Sequence, residues 1–148
     1  MGSILLSMLM SFVAVMGFSI IFNVPRKEIL LCGLTGIIGW IVFTLITYFV
    51  TDSIVVSTFF SAVTVTALAR FKSEIRKMPS TIYMIPGIIP LVPGLRLYFT
   101  MFYVVNGEFG NAAYSGATAL SIAGVIAVGL LVVLSLPRKW FSLKRRKA

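Results

Sequence analysis

Long uncharged apolar runs alternate with short polar segments along the chain. Each run approaches the roughly 20 residues that an α-helix needs to cross a bilayer. The pattern predicts an all-α integral membrane protein with about five transmembrane helices, the fourth of them interrupted by a Pro/Gly segment. The predicted spans are residues 4–22, 29–50, 54–69, 79–105 and 112–136.

Composition supports a membrane protein. Hydrophobic residues make up 59% of the 148 residues and charged residues only 11%, whereas a soluble domain carries about 25% charged residues. We expect one membrane domain over 1–137 and a basic cytoplasmic tail over 138–148. The first apolar run has no basic segment before it and no small-residue cleavage site after it, so we expect it to be retained as a span.

The positions of the charges predict an orientation. Twelve of the thirteen Lys and Arg residues fall in segments 23–28, 70–78 and 138–148, while the alternate loops, 51–53 and 106–111, contain no basic residue. Because cytoplasmic loops are enriched in Lys and Arg, the chain is predicted to be N-out and C-in.

The same distribution explains the net charge of +9 without a nucleic-acid partner. The tail mixes cations with Trp140 and Phe141, a composition typical of an anchor to anionic lipids at the membrane surface. The alternative is that the tail determines the topology and has no further role.

Several classes of chemistry are disfavoured. The chain has no histidine and a single cysteine, Cys32, so the commonest metal ligand and the usual general base are missing. The predicted spans hold no cluster of acid, base and nucleophile. We therefore predict no metal, no cofactor and no enzymatic activity.

Small residues recur at helical spacing in two of the predicted spans. Gly33, Gly36 and Gly39 mark the second span, where the pairs Cys32/Gly36 and Thr35/Gly39 are four residues apart. Small residues four apart let helix backbones approach closely. These faces are expected either to pack within the chain or to contact another subunit. In the fifth span the repeating residues are Ser115, Ala119, Ala123 and Ala127.

The segment YMIPGIIPLVPG, residues 83–94, breaks the fourth span. Without it, too few residues remain before Asn106 to cross a bilayer, so it is predicted to lie at membrane depth. Non-helical backbone survives there only where protein or a water-filled cavity satisfies it. In secondary transporters such discontinuous helices form substrate or ion sites. The alternative is a kinked structural helix.

Arg96 follows the break and is the one basic residue within a predicted span. Such a residue is costly in the membrane unless it is paired or hydrated, and no predicted span contains Asp or Glu. Its partner is then a carbonyl freed by the prolines, a carboxylate of another subunit, or an anionic substrate. The candidate substrate-binding residues are Pro86, Gly87, Pro90, Pro93, Gly94, Arg96 and Tyr98.

The stretches FNVPRKEILLCGLTGIIGW and PSTIYMIPGIIPLVPGLRLYFTM, with a small-residue helix closing at SLP, resemble the threonine/serine exporter family. The resemblance covers about residues 10–137, and is greatest to the small subunit of the split, two-component form. It implies proton-driven export of small amino acids or dicarboxylates such as succinate from a bacterial cell. It also implies a multi-pass protein of the inner membrane with a larger integral-membrane companion subunit.

The resemblance raises the question of where the proton is carried. Proton coupling usually runs through intramembrane Asp, Glu or His, and none lies in a predicted span. We therefore expect the titrating group on the companion subunit and no transport by this chain alone. A non-transporting membrane scaffold or assembly subunit is the alternative function.

Overall fold

The computed structural model describes residues 2–137, so the predicted basic tail, with Trp140 and Phe141, lies outside the described residues. Within that range the protein is entirely helical. The helices are α1 (Gly2–Ile21), α2 (Arg26–Phe49), α3 (Ile54–Arg76), α4 (Thr81–Ile88), α5 (Gly94–Val105) and α6 (Phe109–Ser135). A 3₁₀ turn, Ile89–Leu91, follows α4 directly.

Three of these helices, α2, α3 and α6, are long and apolar enough to cross a membrane. The pair formed by α4 with its 3₁₀ turn and by α5 qualifies as a fourth crossing, bent by 49°. Within α1, the stretch Leu5–Ile21 is apolar but shorter. The chain is thus an all-α membrane protein, as predicted. The count of five spans and the N-out, C-in orientation stay predictions.

The turn between α1 and α2 explains the motif FNVP. Asn23 adopts the left-handed conformation with φ of 54°. Its N–H donates to the carbonyl of Ile20, and the N–H of Val24 donates to the carbonyl of Ser19. This is the Schellman arrangement, in which a left-handed residue closes a helix and a hydrophobic residue packs behind it. Val24 is buried, and Pro25 precedes the first residue of α2.

The third helix differs from its prediction. The apolar run ends at Ala69, but α3 continues to Arg76 and has 23 residues. The segment 70–76, predicted as a loop, forms its last two turns because Lys, Glu and Arg have high helix propensity and can reach water from a helix end. Lys77, with φ of 58°, then terminates the helix.

The helices form a row in the order α1, α2, α3, α6 and α5, each packed on its neighbour, and α4 lies against α1, α2 and α3. Glycines of α2 permit the close approach in this row. A Cβ at Gly33 would lie 2.6 Å from the ring of Phe12 in α1, and one at Gly39 would lie 2.5 Å from Val65 in α3. The α2 glycines therefore pack within the chain.

The small-residue repeat of α6 divides between two environments. Ser115 and Ala119 are buried, whereas Ala123 and Ala127 are exposed. The buried stripe continues instead through Ile122, and its remaining members are Ile126, Gly129 and Val133. The rotation of α6 about its own axis, set by its packing on α3, determines which of its small residues are buried.

Candidate functional site

The broken helix contains three prolines, at or beside its breaks. Pro86 lies inside α4, Pro90 lies in the 3₁₀ turn, and Pro93 directly precedes α5. Proline has no N–H and disfavours a helical conformation in the residue before it. Val92, which precedes Pro93, is extended, with ψ of 132°. The predicted interruption is thus present, as a bend rather than a reversal of the chain.

A cavity of about 170 Å³ lies at this break, between it and helices α2, α3 and α6. Its volume is roughly that of five or six liquid water molecules. The surroundings are mostly apolar, and the side-chain polar groups among the lining residues are the guanidinium of Arg96, the hydroxyl group of Thr58 and the indole N–H of Trp40. The lining residues are Trp40, Phe43, Ile54, Thr58, Pro90, Leu91, Val92, Pro93, Gly94, Leu95, Arg96 and Ile122.

The guanidinium group of Arg96 makes no hydrogen bond and no ion pair with any residue in the range 2–137. Its side chain is half-buried. Arg96 belongs to the first turn of α5, where backbone N–H groups lack intrahelical acceptors and the helix dipole is positive. The hydroxyl of Thr58 donates to the carbonyl of Ile54 at 2.7 Å, so its oxygen can still accept a hydrogen bond. The cavity therefore favours an anionic group beside Arg96.

The predicted site residues do not all meet at this cavity. Pro90, Pro93, Gly94 and Arg96 line it together. Pro86 and Gly87 are buried one to two turns earlier; a Cβ at Gly87 would lie 3.0 Å from Val65 and 3.3 Å from Thr35. Tyr98 is 62% exposed and stacks on Phe102, away from the cavity. Substrate binding by any of the seven residues stays a prediction.

A second polar cluster, at the other end of α4, was not found by sequence reasoning. Tyr83 is wholly buried, and its hydroxyl donates to Oε2 of Glu28 at 2.8 Å. Arg76 donates to the same oxygen from Nε at 3.2 Å, and its Nη2 lies 3.2 Å from Oε1. Glu28 thus binds α3 and α4 to the start of α2.

Segment 23–28 was predicted as a loop between two spans, and for Glu28 this prediction is wrong. The residue lies in the first turn of α2 and is 7% exposed. Because the apolar run starts at Ile29, the run does not indicate that Glu28 belongs to the helix. A usable signal was the spacing of Glu28, Cys32, Thr35 and Gly39, which places them on one helix face. All four are buried.

One helical turn deeper, Lys72 of α3 binds α2. Its Nζ donates to the carbonyl of Leu31 at 2.6 Å and to the hydroxyl oxygen of Thr35 at 2.7 Å. The thiol of Cys32 donates to the carbonyl of Ile82 in α4 at 3.4 Å. Across residues 2–137, no three His, Cys, Asp or Glu side chains are placed to hold a metal ion.

Comparison with known proteins matches this chain to a family. The family model described as threonine/serine exporter, ThrE, matches residues 7–136. A protein of Haemophilus influenzae described as uncharacterized is 29% identical over 141 residues, which cover 93% of this chain and 47% of that protein. The chain therefore spans about half the length of this curated relative. No solved structure matches the chain.

Proposed function

This chain belongs to the threonine/serine exporter family, and from that premise we propose that it is one subunit of a secondary exporter in the inner membrane of a bacterial cell. The substrates are small amino acids such as threonine and serine, or dicarboxylates such as succinate. Membership of a transporter family supports transport rather than enzymatic catalysis.

The observation that carries this proposal is the guanidinium group of Arg96. It lies at a helix break, in a largely apolar cavity, without a partner among the described residues. A cation in apolar surroundings at membrane depth is unfavourable unless an anion or water compensates it. Both substrate classes carry a carboxylate, which arginine binds in a bidentate geometry.

The remaining walls suit the rest of a small substrate. The oxygen of Thr58 and the backbone carbonyls around Pro90 and Pro93 are hydrogen-bond acceptors that an ammonium group can use. Trp40 and Ile122 supply apolar surface for the substrate side chain. In this proposal Arg96 orients the substrate carboxylate, and backbone carbonyls at the break accept hydrogen bonds from the opposite end of the substrate.

The proposal includes a proton gradient as the driving force and a larger companion subunit. Glu28 is the buried acid of this chain, but it is bound by Arg76 and Tyr83 away from the Arg96 cavity. We therefore assign Glu28 to structure and the titrating group to the companion. The relative from Haemophilus influenzae, of which this chain matches 47%, has room for a second membrane unit within one polypeptide.

Efflux from cells that coexpress both subunits tests the role of Arg96. Cells are loaded with labelled threonine, serine or succinate, and efflux is followed for the wild type, Arg96→Lys and Arg96→Gln. Because a hydrogen bond to a charged group contributes about 1.5–3 kcal/mol, we expect Arg96→Gln to lower efflux at least about tenfold. Arg96→Lys, which keeps the charge and loses the bidentate geometry, should be intermediate.

Two further variants complete the experiment. Arg26→Gln removes an exposed charge at the start of α2 and should leave efflux unchanged. Pro90→Ala restores an N–H at the break and should impair efflux. If Arg96→Gln and Pro90→Ala both export normally while the two subunits still copurify, the cavity is not the pathway, and the scaffold function is favoured instead. Export by this chain alone in liposomes would contradict the need for a companion.

A further inference from the structure

A groove between α2 and α3 lies at the end of the molecule that also carries Glu28. It is an open depression of about 440 Å³, lined by three residues of each helix at the spacing i, i+3, i+4. One helix surface faces the other across it, with cations and aliphatic side chains on both sides. The lining residues are Lys27, Leu30, Leu31, Lys72, Ile75 and Arg76.

The three cations of the groove occupy two levels. Lys27 and Arg76 lie at the helix ends. Lys72 lies four residues before Arg76, which places it about 6 Å deeper along the axis of α3. Lys27 is exposed and has no hydrogen-bond or ion-pair partner among residues 2–137. Arg76 uses one edge of its guanidinium group for Glu28, so its other Nη atom is available. Glu28 neutralises one of the three positive charges, so a net charge of +2 remains at the groove.

The apolar part of the groove is open to the surroundings of the helices. Leu30 is 57% exposed and Ile75 is 51% exposed, and Phe71, on the same helix as Ile75, is exposed as well. Leu30 belongs to the second apolar run, where apolar side chains on the outside of a helix bundle face lipid tails. A ligand in this groove therefore meets cations and exposed aliphatic side chains on the same surface.

We propose that this groove binds one anionic phospholipid, with its phosphate between Lys27 and Arg76 and the start of an acyl chain against Leu30 and Ile75. Basic pockets between transmembrane helices bind acidic headgroups in this way. A soluble anion would use the cations but gain nothing from the aliphatic residues. The combination of charge and exposed apolar surface thus selects an amphiphile. This site is separate from the Arg96 cavity and from the tail 138–148.

Native mass spectrometry of the purified full-length chain in a neutral detergent tests the site. The protein is titrated with dioleoyl phosphatidylglycerol and, for comparison, with dioleoyl phosphatidylcholine. The wild type should bind one phosphatidylglycerol more tightly than phosphatidylcholine. Lys27→Gln should weaken that affinity about fivefold, the factor that corresponds to about 1 kcal/mol and to one cation at an anionic surface.

Arg26→Gln is the matched control. Arg26 precedes Lys27, is exposed, and does not line the groove, so both variants lose one charge at the same helix end. The tail contributes the same background to every sample. Equal weakening by Arg26→Gln and Lys27→Gln would show unspecific surface attraction and would overturn the proposal.

Two additional measurements separate a phospholipid from a small anion. Leu30→Asn keeps every cation and should weaken phosphatidylglycerol binding, whereas Leu34→Asn, a control one turn farther along α2 and outside the groove, should not. Inorganic phosphate at millimolar concentration should fail to displace the lipid. Displacement by phosphate, or normal lipid binding by Leu30→Asn, would mean that the groove is a site for soluble anions and that the proposal is wrong.

Discussion

The hydroxyl of Tyr83 donates a 2.8 Å hydrogen bond to the carboxylate of Glu28, 55 residues earlier in the chain. Both side chains are buried. Tyr83 belongs to the eight-residue helix α4, which is too short to be stable by itself. The bond therefore fixes the first half of the broken helix to the start of α2, and through Arg76 to the end of α3.

Tyr83→Phe should destabilise the protein by about 1.5–3 kcal/mol, because the carboxylate loses a buried hydrogen-bond donor. The expected observation is a lower unfolding temperature in detergent, measured by scanning fluorimetry. Tyr98→Phe is the matched control, since Tyr98 is largely exposed, and it should leave the unfolding temperature unchanged. Equal unfolding temperatures for wild type and Tyr83→Phe would contradict the role given to this bond.

Substitutions of Glu28 should separate its two interactions. Glu28→Gln keeps an acceptor for Tyr83, although the hydrogen bond becomes a neutral one, and it loses the ion pair with Arg76, whose side chain is 45% exposed; a pair with an exposed partner contributes about 0–1 kcal/mol. Glu28→Ala leaves the Tyr83 hydroxyl buried without an acceptor, at an added cost of about 1–3 kcal/mol. Thermal unfolding should rank the wild type above Glu28→Gln and Glu28→Gln above Glu28→Ala. The reverse order of the two variants would be incompatible with this geometry.

Glu28→Gln should also preserve the dependence of efflux on the proton gradient, because the titrating group is proposed to lie on the companion subunit. The measurement is efflux from cells coexpressing both subunits, at a series of external pH values. A variant that still exchanges labelled for unlabelled substrate but no longer responds to the gradient would identify Glu28 as the proton carrier and disprove this assignment.

Gly36→Ala should separate α1 from α2, because an added Cβ would overlap the side chain of Val15. Overpacking of this kind costs about 1–3 kcal/mol. Gly124→Ala in α6 is the control, since nothing lies within 4 Å of its added Cβ, and it should not destabilise. Adding Val15→Ala to Gly36→Ala should recover part of the loss in a thermal unfolding assay; a double variant no better than additive would argue against this contact.

Cysteine labelling can establish the orientation. The wild-type chain should not react with a membrane-impermeant maleimide, because Cys32 is fully buried. Asp52→Cys, between α2 and α3, should react in intact cells, and Arg26→Cys should react only after the membrane is permeabilised. The opposite pattern would reverse the predicted N-out, C-in topology.

The sequence predicts some of these features because their causes are local. Three prolines within eight residues disrupt a regular helix, and the break was predicted on that ground. The closure of α1 at Asn23 also depends on short-range hydrogen bonds, but it was not predicted. The extension of α3 to Arg76 was not predicted, because an apolar run indicates only the part of a helix that lies inside the membrane, and the helix can continue beyond that part. The Glu28 cluster depends on that extension and on the rotation of three helices, which periodicity alone does not determine.

The same distinction applies to the Arg96 cavity. An arginine inside an apolar run is visible in the sequence, and so is its position after the break. Which side chains face it is set by the packing of α2, α3 and α6, so Trp40, Thr58 and Ile122 were not predicted as neighbours. Tyr98 is two residues from Arg96 and for that reason points elsewhere on the helix.

The 49° bend of the broken helix also relates the protein to the thickness of its membrane. Its two arms are each about 18 Å long, so a bend of 49° shortens their combined end-to-end length by about 3 Å compared with a straight arrangement. The hydrocarbon core of a bilayer is about 30 Å thick, and each ångström of mismatch costs a fraction of a kcal/mol. Longer acyl chains should therefore favour a straighter helix and shorter chains a sharper bend, which makes lipid chain length a way to open or compress the break at Pro93.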